Sequence, residues 1–192
     1  MILIKYIPLL ELPILIIMVL IRSAMLRRRG IRAIVFGKTH KTDYAIVPVI
    51  LFFFYGLAAF IFKLPFPYIL VKSLWDIFII DICSVVICSI SLIWFGITLK
   101  TFGKSFRVGI DRNTNDKLIT SGTFALSRNP IYAGIIAFLI GMFLMYSNLL
   151  LLLFLLFLTI MVHRQIIREE KFLDEHYGTE YRDYCKKVRR YL

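Results

Sequence analysis

Long apolar stretches alternate with polar connections along the 192-residue chain. The first three stretches cover about residues 7–21, 44–62 and 77–99, and a fourth covers 131–162. Each is close to or above the roughly 17–25 apolar residues that a transmembrane helix needs. The pattern therefore predicts an all-α integral membrane protein.

The fourth stretch is too long for one ordinary transmembrane helix. It holds 32 residues without a charge. A single helix of that length would measure about 48 Å, against a hydrocarbon core of about 30 Å. Ser147 and Asn148 lie at its midpoint and favour a turn. We expect two short helices, 131–146 and 149–162, that form a tight helical hairpin; one strongly tilted helix is the alternative.

Composition agrees with the membrane class. Hydrophobic residues make up 59% of the chain and the mean hydropathy is +0.79, whereas a soluble domain is about 45–50% apolar. We expect residues 1–192 to form a single membrane domain with about five transmembrane helices. The polar segments 100–130 and 163–192 are expected at the cytosolic surface. The second is predicted to be a C-terminal helix that breaks at Gly178.

The formal net charge of +12 is spread unevenly between the connections. Basic residues outnumber acidic ones by seven to one in 22–43, six to two in 99–131 and eight to six in 163–192, while 63–76 holds two basic residues. The positive-inside rule then places the N-terminus outside and the C-terminus in the cytosol. Only Lys5 precedes the first apolar stretch, an order that indicates an uncleaved anchor. The charge favours anionic membrane lipid, not nucleic acid, as a partner.

The three cysteines show neither a disulfide framework nor a metal-ligand spacing. Cys83 and Cys88 lie five residues apart in an apolar stretch, on different faces of a helix, where packing is the simplest interpretation. Cys185 lies in the basic tail. No metal site is predicted.

A polar motif precedes the fourth apolar stretch. It consists of Arg128, Asn129, Pro130, Tyr132 and Gly134. Alone, the motif has a structural explanation, because Pro suits the first position of a helix, Asn can cap it, and Arg can reach lipid phosphate.

A second polar motif follows the same stretch. It begins with Glu169 and Glu170 and continues through Tyr177-Gly178 to Tyr181 and Tyr184. An acidic pair alone is usually an ordinary helix surface. If the apolar stretch folds back on itself, however, both motifs meet at one membrane face, which predicts an active site there.

Together the two motifs resemble the isoprenylcysteine carboxyl methyltransferase and phospholipid methyltransferase superfamily of integral membrane enzymes. The resemblance covers roughly residues 100–190, and residues 22–50 look like the leading region of its small prokaryotic members. It implies S-adenosylmethionine as the methyl donor, with S-adenosylhomocysteine as the product, in a pocket at the cytosolic face. It also implies a lipid-like acceptor that enters from the bilayer.

The first motif matches the family at Arg128, Pro130, Tyr132 and Gly134. Asn129 stands where the eukaryotic carboxyl methyltransferases commonly have His, which removes a titratable group from the implied pocket.

In the second motif, Glu169 and Glu170 match the acidic pair, and Tyr181 and Tyr184 match the paired tyrosines. Tyr177-Gly178 stands where many members have Phe-Gly. The string that resembles the family continues to Val188 and Arg190, and the proline-containing tail usual after Arg190 is not part of it.

The chemistry of the donor suits these residue types. A carboxylate from Glu169 or Glu170 suits its ammonium or its ribose hydroxyls, and Arg128 suits a carboxylate or phosphate. The aromatic rings of Tyr132 and Tyr181 can flank the adenine or the sulfonium. The predicted cofactor-binding residues are Asn129, Pro130, Tyr132, Gly134, Glu169, Glu170 and Tyr181.

Arg128 and Glu170 are the predicted catalytic residues. An amine or thiol acceptor must lose a proton, and Glu170 is then the candidate base. A carboxylate acceptor needs no base. Gly134 is expected to permit a close approach, either by the ligand or by a neighbouring helix.

Three further polar residues have two interpretations each. Arg107 is a substrate candidate that contacts the acceptor headgroup, or it anchors a loop to phosphate. His163 either borders the pocket as a second substrate residue or lies at the membrane interface. An acid inside an apolar stretch is a functional candidate, but Asp81 lies close enough to Trp75 to favour a position near the interface.

The resemblance therefore implies a membrane methyltransferase that uses S-adenosylmethionine, with 100–130 and 163–192 as its cytosolic catalytic segments. The acceptor is expected to be lipidic or small and apolar: a phospholipid amine, the carboxylate of an isoprenylcysteine, or a thiol. The oligomeric state is left open. A non-catalytic membrane scaffold or binding protein that keeps the fold is the alternative, and a small transporter is a weaker one, because the sequence shows no internal repeat.

Overall fold

The computed structural model describes residues 3–28, 46–102 and 118–192, of which 46, 47, 60 and 61 are described for the backbone only. The secondary structure in these ranges is helical, apart from one isolated bridge between Ser73 and Asn148. After a 3-10 turn at Leu3–Tyr6, the helices are α1 Ile7–Arg28, α2 Ile46–Phe62, α3 Tyr68–Val71 and α4 Phe78–Phe102. A 3-10 turn at Gly122–Ala125 precedes α5 Pro130–Tyr146, α6 Leu149–Tyr177 and α7 Thr179–Lys187.

Three of the described helical segments are long and apolar enough to cross a membrane: Leu3–Arg28, Phe78–Phe102 and Leu149–Tyr177. Helices α2 and α5 are apolar but shorter, with 17 residues each, or about 26 Å. The chain is thus an integral membrane protein that is helical throughout its described elements, and the count of five transmembrane helices stays a prediction.

Helix α1 is longer than the apolar stretch that predicted it. It continues beyond residue 21 to Arg28, so the first basic residues of the predicted connection 22–43 are helical. No Pro or Gly lies between Pro13 and Arg28 to stop the helix. Most of the remaining connection lies outside the described residues.

The long apolar run is divided at Ser147 and Asn148. Ser147 has a left-handed backbone, with φ 36°, and ends α5. The side chain of Asn148 accepts a hydrogen bond from the Leu151 backbone N–H at 2.9 Å and caps α6. These are the residues at which the sequence favours a turn. That α5 and α6 form a hairpin through the membrane stays a prediction.

Helix α4 packs against α1 and α5. Gly141 permits the contact with α5, because a Cβ built there would lie 2.5 Å from Sγ of Cys88. Cys88 is fully buried, as its predicted packing role requires, but Cys83 is exposed. The packing interpretation is therefore wrong for Cys83, because the two cysteines face different sides of α4. The shared core contains Phe53, Leu57, Cys88, Phe138, Met142, Met145, Tyr146 and Leu151.

Polar contacts join several elements at the end of the molecule that holds Lys5. Nζ of Lys5 lies 2.6 Å from Oδ1 of Asp76 and 3.8 Å from Oδ2 of Asp81. The Tyr146 hydroxyl donates to the Lys5 backbone carbonyl. Asp81 is buried in the first turn of α4 and has a cationic partner there, as an acid near the membrane interface needs.

Candidate functional site

The candidate site lies where α5 begins, at the opposite end of α5 from Tyr146. Three parts of the chain meet there: residues 127–132, the middle of α6 around 165–170, and the segment 188–191 that follows α7. The two sequence motifs are therefore brought together, and a third segment joins them.

The Glu170 carboxylate is the centre of the site. Its Oε1 lies 3.3 Å from an Arg128 guanidinium nitrogen and accepts a hydrogen bond from Nδ2 of Asn129 at 3.3 Å. Its Oε2 accepts from Nε of Arg190 at 3.0 Å and lies 2.8 Å from a second nitrogen of the same guanidinium. Glu170 is largely buried, with 12% of its side chain exposed, and these partners compensate its charge.

Asn129 stands at the N-cap position of α5 but does not cap the helix with its side chain. Its Nδ2 instead donates to Glu170 and, at 3.2 Å, to the backbone carbonyl of Arg190. Pro130 follows at the first helical position, where its missing N–H costs nothing. The capping interpretation of Asn129 is wrong, because the buried carboxylate of α6 is available to this amide.

Glu169 has a separate set of partners. Its Oε1 accepts hydrogen bonds from the Tyr132 hydroxyl at 2.7 Å and from Nε2 of Gln165 at 2.8 Å. Its Oε2 receives neither of these bonds. Tyr132 therefore ties the first turn of α5 to α6, and the two adjacent glutamates serve different halves of the site.

Two buried polar atoms at the site lack a hydrogen bond of normal geometry within the described ranges: Nε of Arg128 and the hydroxyl of Tyr181. The Tyr181 hydroxyl lies near the Cys185 thiol. Burial, and next the nearby Glu170 carboxylate, raise the pKa of this hydroxyl well above its ordinary value. It therefore stays protonated at physiological pH. A buried donor without a partner is costly, so both atoms are suited to a polar ligand.

Gly134 serves a contact between helices. A Cβ there would lie 3.0 Å from Cδ1 of Trp94, on α4. Nε1 of Trp94 donates to the backbone carbonyl of Pro130 at 2.8 Å. Of the two interpretations of Gly134, close approach by a neighbouring helix is the one this geometry favours; its cofactor-binding role stays a prediction.

Tyr184 supports the site from α7. Its buried hydroxyl donates to the backbone carbonyl of Phe124 at 2.6 Å, which holds the 3-10 turn before the first motif. Burial raises the pKa of Tyr184 to about 12, so the hydroxyl remains a donor at neutral pH. Tyr184 is thus placed as a structural support.

The structure describes one of the two predicted substrate residues, His163. His163 is exposed, and its Nδ1 lies 2.6 Å from the Tyr191 hydroxyl, so it contacts the C-terminal segment. Its role toward a substrate stays a prediction. Arg107 lies outside the described residues.

Sequence reasoning gave no role in the site to three of its contributors. Arg190 pairs with Glu170, Gln165 donates to Glu169, and Ser127 accepts from the Asn129 backbone N–H at 3.1 Å. The spacing of four residues between Gln165 and Glu169 on one helix was a usable signal. Arg190 ends the string that resembles the family, but the string indicates no partner for it, and its contact with Glu170 depends on the tertiary fold.

The fold and the site define a class of protein: an α-helical membrane protein with a largely buried cluster of charges where two helices and the C-terminal segment meet. A family model described as phospholipid methyltransferase matches residues 75–180 of the chain. The match covers more than half of the chain, and the chain belongs to this family.

Two curated relatives are both described as probable protein-S-isoprenylcysteine O-methyltransferase, from Oryza sativa subsp. indica and Oryza sativa subsp. japonica. Each is 35% identical to the chain over 95 residues, which make up 48% of this chain and 50% of the relative. The chain thus spans about half the length of the curated relatives it matches. The matches bear out the family resemblance that the two motifs predict.

Proposed function

We propose that this chain is a membrane methyltransferase that takes its methyl group from S-adenosylmethionine. The observation that carries the proposal is the cluster of Arg128, Asn129 and Glu170, in which residues from both motifs share one buried carboxylate. Family membership and the names of the relatives support the same activity.

The residues present fit the polar groups of this donor. Arg128 Nε and the Tyr181 hydroxyl are buried donors without a partner of normal geometry among the described residues, and they suit the carboxylate of the donor's methionine part. Glu169 keeps an oxygen that neither Tyr132 nor Gln165 uses. That oxygen suits an ammonium group or a ribose hydroxyl. When bound, S-adenosylmethionine supplies a methyl group on a sulfonium sulfur, and loss of this methyl group leaves a neutral thioether.

The protein's own contribution is positioning and exclusion of water. Arg128 and Glu170 are 13% and 12% exposed, so charges in this cluster interact more strongly than they do in water. Alignment of donor and acceptor supplies several kcal/mol of rate enhancement, up to roughly 7–11 kcal/mol in the best-oriented cases.

The geometry argues against Glu170 as a general base. A carboxylate has about four positions for accepting hydrogen bonds. Around Glu170, nitrogens of Arg128, Asn129 and Arg190 occupy four such positions. The site is therefore best suited to an acceptor that needs no base supplied by Glu170, such as the carboxylate of an isoprenylcysteine. A phospholipid amine or a thiol remains a candidate acceptor.

The proposed topology has five transmembrane helices, with the N-terminus outside and the site at the cytosolic face. Contacts support it, because α5 joins two opposite ends of the molecule. Tyr146, the last residue of α5, contacts Lys5, and Asn129, which directly precedes α5, contacts Glu170. Helix α5 therefore connects the face that holds Lys5 to the face that holds the site.

The test of the proposal is calorimetric binding of S-adenosylhomocysteine to the detergent-purified protein. We expect saturable binding that Arg128→Ala and Glu170→Ala weaken at least tenfold, because each removes charged hydrogen bonds of roughly 1.5–3 kcal/mol. Glu175→Ala is the matched control, since this exposed acid of the same helix forms an ion pair with exposed Lys171 at 4.0 Å. Absence of binding in folded protein supplied with lipid would favour the non-catalytic scaffold.

A further inference from the structure

The C-terminal segment Val188–Tyr191 makes contacts that neither motif predicts. It follows α7, and its first residue, Val188, has an extended backbone with φ −123° and ψ 133°. It then runs between the first motif and α6, and its last contact is made by the Tyr191 hydroxyl, 2.6 Å from Nδ1 of His163. The segment therefore touches both halves of the site.

The backbone of this segment holds the first motif. The Arg128 backbone N–H donates to the carbonyl of Arg189 at 2.9 Å. The next carbonyl, that of Arg190, accepts from Oγ of Ser127 at 3.4 Å and from Nδ2 of Asn129 at 3.2 Å. Two consecutive peptide units thus fix three consecutive residues that lead into α5.

The side chain of Arg190 holds the second motif. Its guanidinium makes a two-point contact with Oε2 of Glu170, at 3.0 Å and 2.8 Å. Such a fork fixes the plane of a carboxylate as well as its position. The Glu170 hydrogen bond is also the main cause that raises the pKa of Arg190, which agrees with a stable pair.

Arg190 also affects Arg128 through the carboxylate that the two arginines share. With Arg190 in place, Oε2 is engaged and only Oε1 is left for Arg128 and Asn129. Without it, the whole carboxylate is free to turn toward Arg128 and pair with it more closely. Arg128 would then be less available to an anionic ligand group.

We propose that Arg190 is a positioning residue of the methyl-donor site: its side chain orients Glu170 and its carbonyl orients Asn129, so that Arg128 is left free to bind the donor. The proposal rests on the proposed function, because it assumes that the donor binds at this cluster. Arg190 acts through Glu170 and Arg128, and it makes no contact with the donor in this account.

The experiment measures S-adenosylhomocysteine affinity by calorimetry for Arg190→Gln, Glu170→Gln and the double variant of the 192-residue chain. We expect Arg190→Gln to weaken binding about tenfold or more, the scale of one charged hydrogen bond. We expect the double variant to bind no more weakly than Glu170→Gln alone, because Arg190 acts through that carboxylate. Arg190→Lys, which keeps the charge but loses the fork, is expected to fall between Arg190→Gln and the unmodified protein.

Arg182→Gln is the matched control. It removes another arginine that pairs an acid of α6, with Nε 3.2 Å from Oδ1 of Asp174 in a largely exposed pair. Equal affinities for Arg190→Gln and Arg182→Gln would overturn the inference. The inference would also fail if the double variant lost affinity by the product of the two single losses, because Arg190 would then act independently of Glu170. No binding by the unmodified, folded protein would instead overturn the proposed function, and this inference with it. If Arg190→Gln fails to fold, Arg190→Lys decides the matter, since affinity equal to that of the unmodified protein contradicts the proposal.

Discussion

The two adjacent glutamates of α6 have different partners, and this separation determines what each can do. Glu170 is surrounded by two arginines and an amide, so both of its oxygens are engaged. Glu169 is held through one oxygen by Tyr132 and Gln165. Glu169 is therefore the carboxylate better placed to accept a hydrogen bond from a ligand, and Glu170 the one that organises its neighbours.

Removal of the Tyr132 hydroxyl tests this separation. Tyr132→Phe leaves Gln165 as the remaining donor to Oε1 of Glu169, and the partly buried carboxylate loses a charged hydrogen bond. We expect the free energy of unfolding to fall by roughly 1.5–3 kcal/mol, measured as a lower thermal midpoint in detergent. Tyr55→Phe is the control, because its hydroxyl donates to the carbonyl of Pro65 at an exposed position. Equal effects of the two variants would contradict the separate role of Tyr132.

The sequence predicted the charged residues of the site better than their partners. Arg128, Tyr132, Glu169 and Glu170 carry charge or a hydroxyl next to an apolar stretch, where such groups are costly without a purpose. The use of Asn129 was mispredicted, because a capping preference is a local rule and the competing carboxylate belongs to another helix. Contacts of this kind depend on the tertiary fold.

At the scale of helices, small residues determine how closely α4 and α5 approach. A Cβ at Gly141 would meet Sγ of Cys88 at 2.5 Å and the Cys88 backbone nitrogen at 3.2 Å. A Cβ at Gly134 would have one close contact, with Cδ1 of Trp94 at 3.0 Å, and its next neighbour would lie 3.7 Å away. The α4–α5 contact is therefore tighter at Gly141, where backbone as well as side chain is close.

Substitution of these glycines by alanine tests the helix contact. We expect Gly141→Ala to lower the free energy of unfolding by about 1–3 kcal/mol, the usual cost of overpacking, and Gly134→Ala to cost less. The thermal midpoint in detergent is the measurement. Addition of Cys88→Ala should restore part of the loss at Gly141, because it removes the clashing sulfur but leaves the backbone nitrogen. A larger loss for Gly134→Ala than for Gly141→Ala would contradict this ranking.

The two asparagines that precede α5 and α6 make a matched pair. Asn148 caps α6 through its bond with the Leu151 N–H, whereas Asn129 uses its side chain for Glu170 and Arg190. We expect Asn148→Ala to cost about 1 kcal/mol of stability, as a lost cap does, without a change in S-adenosylhomocysteine affinity. Asn129→Ala should instead weaken that affinity. Thermal unfolding and calorimetry on both variants separate the two roles, and a reversed pattern would refute the assignment.

At the scale of the whole molecule, polar contacts form at two opposite ends. One end holds Lys5, Asp76 and the Ser147 turn, and the other holds the candidate site. The apolar pattern predicted membrane helices correctly, because a long run of uncharged, apolar residues is typical of a helix that crosses the bilayer. It did not fix their number, because 17-residue helices such as α2 and α5 lie at the lower limit of what spans a bilayer.

Cysteine labelling tests the five-helix topology. In a background without native cysteines, a cysteine at Lys72 should react with a membrane-impermeant maleimide from the side of the N-terminus. A cysteine at Lys187 should react from the opposite side. Both positions are exposed in the structure. If only the three longest helices crossed the membrane, position 72, between α1 and α4, would lie on the side away from the N-terminus. Labelling of position 72 from that side would therefore contradict the five-helix topology.

Transfer of a radiolabelled methyl group from S-adenosylmethionine is the most direct test of the central claim. The purified protein is reconstituted in vesicles and supplied in parallel with a phospholipid amine, an isoprenylcysteine carboxylate and an apolar thiol. We predict label in at least one extracted acceptor, most readily the carboxylate, and a loss of at least tenfold in Arg128→Ala. Folded protein that binds S-adenosylhomocysteine but labels none of the three acceptor classes, or that labels them equally well without Arg128, would contradict the account.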